Sequence, residues 1–136
     1  MKELLLDANV LVRFLVRDDP KQGAAATALF EKAERREVVL HLDILVVAEV
    51  VYVLIGRYGR SRTEVADVLL AMIQNPGIET MEGDVVTDAL ERFAAFNVDF
   101  LDAWLASRGA RLRRPVASFD RDLDKFKDIT RFEPPA

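Results

Sequence analysis

Short apolar runs alternate with longer amphipathic segments along this chain. Glu3 to Leu6 reads as a short buried strand, and Ala8 to Val16 as a helix that stops near Asp18-Asp19-Pro20. Pro20 suits the first turn of a second helix, with Asp19 as its cap. Ala24, Ala25, Ala28, Leu29, Phe30 and Ala33 give that helix an apolar stripe, ending at about Arg36. Val38 to His41 is a second strand. The segment from Asp43 to about Tyr58 is ambiguous, because its β-branched content favours strand and its length favours helix. With Asp43 to cap it and Gly59 to stop it, the helix reading is preferred. Ser61 and Glu64 form a capping box before Val65, Val68, Leu69, Met72 and Ile73. Asn75-Pro76-Gly77 is a turn, and Ile78 to Met81 a strand. Asp84 is expected to cap a helix carrying Val85, Val86, Ala89, Leu90 and Phe93. Asp99 opens another helix, to about Arg108, with Gly109 ending it. Pro115 to Ser118 is a strand, followed by a short helix around Asp122 to Phe126 and a last strand near Ile129.

Strands alternating with helices predict an α/β fold whose mainly parallel sheet is covered on both faces. The 136 residues read as a single domain over 1–133 with a tail at 134–136, where Pro134 and Pro135 fall. The net charge of −4 argues against a basic nucleic-acid-binding surface over the whole protein. It leaves a nuclease open, because bound metal neutralises acids locally and faces phosphate. There is no Cys, hence no thiol nucleophile or thiolate metal site, which fits a reducing cytoplasm. The N-terminus lacks the features of a signal peptide, and the longest apolar run is interrupted by Glu49 and too short for a membrane span.

Four acids then change the picture. Asp7 ends Leu4-Leu5-Leu6, Glu49 interrupts the run from Ile44 to Ile55, Asp102 lies within Phe100 to Ala106, and Asp120 closes Val116 to Phe119. None of these runs contains a Lys or Arg. Buried carboxylates need a partner, and several gathered together suit a hard divalent cation. Asp7 also serves as a plain helix cap, with Asn9 as a second oxygen donor two residues on. Glu49 has no basic residue at helical neighbour spacing within its run. Asp99 is most simply a cap, Asp122 an outer ligand or a cap, and Asp124 a surface charge. Asp7 and Asp120 follow strands, at the sheet edge where α/β proteins bind ligands.

His41, the only histidine, reads as structural, and a zinc hydrolase is disfavoured. Arg108, Arg111, Arg113 and Arg114 cluster near a helix end, where they suit both the helix C-terminus and substrate phosphate. Phosphate-binding glycine motifs and a Gly-x-Ser-x-Gly elbow are absent.

Taken in order, Asp7-Ala8-Asn9-Val10-Leu11-Val12-Arg13, Ala48-Glu49-Val50, Asp102-Ala103-Trp104-Leu105-Ala106 and Ser118-Phe119-Asp120-Arg121-Asp122 resemble a PIN-domain protein. The chain is most similar to VapC-type toxins of toxin–antitoxin pairs. The resemblance spans nearly the whole sequence and departs from the family pattern at Ala8, where Thr or Ser is common, and at Trp104, where a small aliphatic is common. It implies a three-layer α/β/α fold with a central sheet of four to five short strands. It also implies an endoribonuclease dependent on Mg²⁺ or Mn²⁺, leaving a 3′-hydroxyl and a 5′-phosphate. Asp7, Glu49, Asp102 and Asp120 match the family's four acids, Asp122 a frequent extra acid, and Asn9 and Ser118 the supporting polar positions. Arg108, Arg111 and Arg113 are the candidate phosphate contacts.

The resemblance further implies an RNA substrate, a small cognate antitoxin and a homodimer, with no membrane. Helix residues Ala24, Ala28, Val46 and Val47 offer apolar surface for an interface or for the core. Other readings stay open: an RNA-processing PIN nuclease that is not a toxin, or a non-catalytic RNA-binding module. An aspartyl phosphatase is less suited, since it wants Asp-x-Asp where this chain has Asp7-Ala8-Asn9.

Overall fold

The computed structural model describes residues 2–135 and resolves into two compact units, Met1–Gly83 and Asp84–Ala136. The first unit holds β1 (Lys2–Leu5), α1 (Ala8–Val16), α2 (Pro20–Glu34), β2 (Val38–Leu42), α3 (Ile44–Gly56), α4 (Arg62–Met72) and β3 (Ile78–Thr80). Its sheet has the order β1-β2-β3, all parallel, with Leu4 beside Leu40 and Leu40 beside Ile78. Each parallel step needs a crossover, and helix pairs supply both: α1 and α2, then α3 and α4. Such crossovers are right-handed, and the strand order advances in one direction, so both helix pairs fall on one face. The packing of α1 against both α2 and α3 agrees.

Along β2, buried Val38, Leu40 and Leu42 alternate with half-buried Val39 and His41, as the two-residue period of a strand requires. The core of this unit adds Leu11 and Val12 from α1, Phe30 from α2, and Val47, Val50, Val51 and Leu54 from α3. Val47 is therefore core, whereas Ala24 and Ala28 of α2 are exposed. His41 Nε2 pairs with Glu3 Oε1 at 2.8 Å, from the neighbouring strand. Local signals set the helix starts. Asp19 accepts from the Gln22 amide at 3.0 Å, Asp43 from the Leu45 amide at 3.1 Å, and Ser61 and Glu64 close the capping box. The ambiguous segment is thus α3, and burial of its Val-rich side overrides β propensity.

The second unit holds α5 (Gly83–Ala95, of which Gly83 is the last residue of the first unit), α6 (Phe100–Leu112), β4 (Val116–Ala117), a 3-10 helix (Arg121–Lys125) and β5 (Arg131–Phe132). β4 and β5 pair in parallel. Among the described residues there are five short strands, all in parallel pairs, hydrogen-bonded in a three-stranded and a two-stranded set.

Three boundaries differ from the sequence expectations. Asp84 lies inside the first turn of α5 and does not cap it. The last strand is Arg131–Phe132, after Ile129. Gly109 does not end α6, which runs on to Leu112 and closes at Arg113 with a left-handed φ of 54°. Gly109 is buried, and a Cβ there would lie 3.1 Å from both the Arg114 carbonyl oxygen and a Val116 methyl. Its role is close approach to the returning chain, not termination.

Candidate metal centre

Asp102 stands in the first turn of α6, half-buried. Asp120 follows β4 and caps the 3-10 helix, its Oδ1 accepting from the Asp122 amide at 2.9 Å. The Ser118 hydroxyl accepts from the Asp120 amide at 2.9 Å, so the predicted supporting serine shapes the turn that presents the acid. These elements bring carboxylate oxygens of Asp102, Asp120 and Asp122 within 4.8 Å of one another, the one such acidic trio among the described residues.

Burial pushes the Asp102 carboxyl above the usual range, and the charges of Asp120, Asp99 and Asp122 push it further. The repulsion is relieved only in part: Lys125 Nζ lies 3.2 Å from Asp122 Oδ1 and also donates to the Asn97 carbonyl at 2.7 Å. Three oxygen donors without His or Cys, one of them held against its neighbours' charge, fit a hard divalent cation and do not fit a structural zinc.

The PIN-domain profile matches residues 4–129. The chain belongs to the PIN-domain family. No curated protein matches it. PIN domains are in general nucleases, they typically use divalent metals, and the family implies binding of RNA. Among the described residues, no helix is long and apolar enough to cross a membrane.

The remaining site candidates of this PIN domain fall as follows. Asp7 is the N-cap of α1, with Oδ2 3.4 Å from the Asn9 amide, and both residues are exposed. Glu49 is exposed on α3, on the side with Leu45 and Tyr52. Its apolar neighbours in sequence are buried on the other side of the helix, so the cost of burying a charge does not arise there. Arg111 Nη2 donates to the Asp84 carbonyl at 3.2 Å, tying α6 to the start of α5. Arg108 is half-buried within α6, and Arg113 is its exposed C-cap. Arg111 sits about 14 Å and Arg108 about 9 Å along the helix axis from Asp102, at 1.5 Å per residue.

Two features escaped the sequence reading. Asp99 occupies the N-cap of α6 without a side-chain cap bond, and its charge adds to the field on Asp102. Lys125 supplies Asp122 with a basic partner. The i,i+3 spacing of Asp122 and Lys125 carried that signal.

Proposed function

We propose that this PIN domain is a Mg²⁺- or Mn²⁺-dependent endoribonuclease acting as the toxin of a toxin–antitoxin pair. The observation that carries the reading is the trio Asp102, Asp120 and Asp122, whose negative charge Lys125 relieves only in part. Asp7, Glu49, Asp102 and Asp120 are the proposed metal ligands and catalytic acids, with Asp122 as a further candidate ligand. We take residues 1–133 as one domain, because the family match runs through both compact units.

Bound there, a divalent cation would supply charge neutralisation and polarisation at the scissile phosphate. The chain's own part is to hold the oxygens in place. Ser118 and Asp120 fix the turn after β4, and α6 carries Asp102 to the same point. Asn9 supports the first acid. Arg108, Arg111 and Arg113 are the proposed contacts to flanking RNA phosphates.

The toxin assignment places the protein in the cytoplasm, as a homodimer silenced by a small antitoxin. Exposed Leu45 and Tyr52 on α3, and Ala24 and Ala28 on α2, offer apolar surface for those partners.

The test compares wild type and Asp7→Asn for RNA cleavage with and without EDTA, and for growth arrest on expression. Wild type is expected to cleave only without chelator and to arrest growth, and Asp7→Asn to do neither. Equal, chelator-resistant cleavage by both proteins overturns the proposal.

A further inference from the structure

Arg131 lies on β5, after the acids in sequence and outside every motif that pointed to the site. Its side chain is only 13% exposed, low for a charged group so near the C-terminus. Nε donates to Asp124 Oδ1 at 2.9 Å and Nη2 to Asp124 Oδ2 at 3.2 Å, the forked pairing that a planar guanidinium makes with a carboxylate. Nη1 donates to the Ser118 carbonyl at 3.1 Å and to Glu133 Oε1 at 2.8 Å.

Ser118 and Asp124 bracket the segment that holds Asp120 and Asp122. Each anchor lies two residues from one of those acids. One guanidinium therefore grips both ends of a short turn whose other internal ties include the bonds from the Asp120 amide to Ser118, from the Asp122 amide to Asp120 and from the Leu123 amide to the Asp120 carbonyl. Its charge is matched by Asp124 and Glu133, not by the metal-binding acids. A basic residue paired directly with one of these acids competes with a cation, as Lys125 does at Asp122. Arg131 orders the turn without doing so.

We infer that Arg131 is a positioning residue for the metal centre, acting through Ser118 and Asp124 to hold Asp120 and Asp122 in ligating register. This rests on the metal-site reading above. Partners that orient ligands from behind typically alter metal affinity by about 10–100-fold when removed. Lysine keeps the charge but lacks the fork, so it holds only one of the two anchors at a time.

The experiment is calorimetric titration of the metal-free full-length protein with Mn²⁺ alone, for wild type, Arg131→Ala, Arg131→Lys, Asp124→Asn and Glu133→Gln. Circular dichroism confirms that each variant is folded. Arg131→Ala and Asp124→Asn are expected to weaken Mn²⁺ binding by about tenfold or more, and Arg131→Lys by less. Glu133→Gln, which touches only the tail side of the guanidinium, leaves binding at the wild-type level. If Arg131→Ala is too unstable to titrate, Asp124→Asn decides the question alone. Wild-type affinity in Asp124→Asn, or equal losses in Asp124→Asn and Glu133→Gln, overturns the positioning role. Absence of Mn²⁺ binding in the wild type overturns the metal reading itself, and this inference with it.

Discussion

The Asp102 carboxylate, half-buried in the first turn of α6, is surrounded by the charges of Asp120, Asp99 and Asp122. A helix N-terminus favours a carboxylate, yet burial and three negative neighbours win, and the group binds its proton more tightly than usual. A carboxyl whose folded pKa exceeds its unfolded value favours folding on the acid side. That stability is lost as pH rises between the ordinary carboxylate value and the raised one. At neutral pH Asp102 therefore opposes folding of the metal-free protein. Asp102→Asn is expected to raise the metal-free melting temperature at pH 7. The gap should narrow as the wild-type carboxyl is protonated on acidification. Excess Mn²⁺ should stabilise wild type and not the variant, since only a state that binds the ion gains from it. Melting curves in EDTA and in Mn²⁺ check both statements. A lower metal-free melting temperature for Asp102→Asn at pH 7 would count against them.

At the scale of elements, α5 is tied to the chain's end by Arg92. Its Nη1 donates to Asp128 Oδ1 at 2.8 Å, its Nε donates to Asp88 Oδ2 at 2.8 Å, and the guanidinium lies 5.4 Å from the centre of the Phe126 ring. The hydrogen bonds from Arg92 hold the Asp128 carboxyl below the usual carboxylate range. A depressed folded pKa stabilises the fold above the unfolded value, and that stability is lost as pH falls through the folded one. Arg92→Lys keeps the charge but gives up the fork, and is expected to cost about 1 kcal/mol at pH 7. Urea denaturation at pH 7 and again in the acid range checks this, with the difference closing on acidification. A constant difference across that range would assign the loss to packing on Phe126 instead. The Asp128 pairing was not legible in the sequence, because Arg92 and Asp128 are 36 residues apart, whereas Asp88 and Arg92 stand at helical i,i+4 spacing. The starts of α2, α3 and α4 were legible because a cap acts on the next two or three residues. Gly109 was misread because a glycine needed for close approach has the same local signature as one that ends a helix. Likewise, the exposure of Glu49 depends on which side of α3 the core takes, and the apolar run around it does not say.

For the whole molecule, a net charge of −4 must meet a polyanionic substrate. Of the acids proposed from sequence, Asp102, Asp120 and Asp122 are seen gathered, since each follows an element boundary that its own neighbours specify. What sequence spacing did not supply was the balance of charge around them: Asp99 adds to the repulsion, Lys125 relieves part of it, and Arg131 spends its charge elsewhere. Attraction for RNA in the absence of metal must then come from basic residues away from the trio, and Arg113 is exposed at the end of α6, as are Arg111 and Arg114. Each phosphate neutralised on a single strand contributes about −0.7 to the slope of log affinity against log salt. Three arginines acting together would give a slope of about −2. Arg113→Ala should lower its magnitude by about 0.7, leaving two contacts. The measurement is fluorescence anisotropy of a labelled single-stranded RNA across a salt series, with EDTA present so that the strand stays intact. Arg113 contributes no internal side-chain bond to α6, so its loss should reduce affinity without lowering the melting temperature. An unchanged slope in a folded variant would remove Arg113 from the phosphate contacts. It would point to some other basic surface as the path by which RNA reaches the acids.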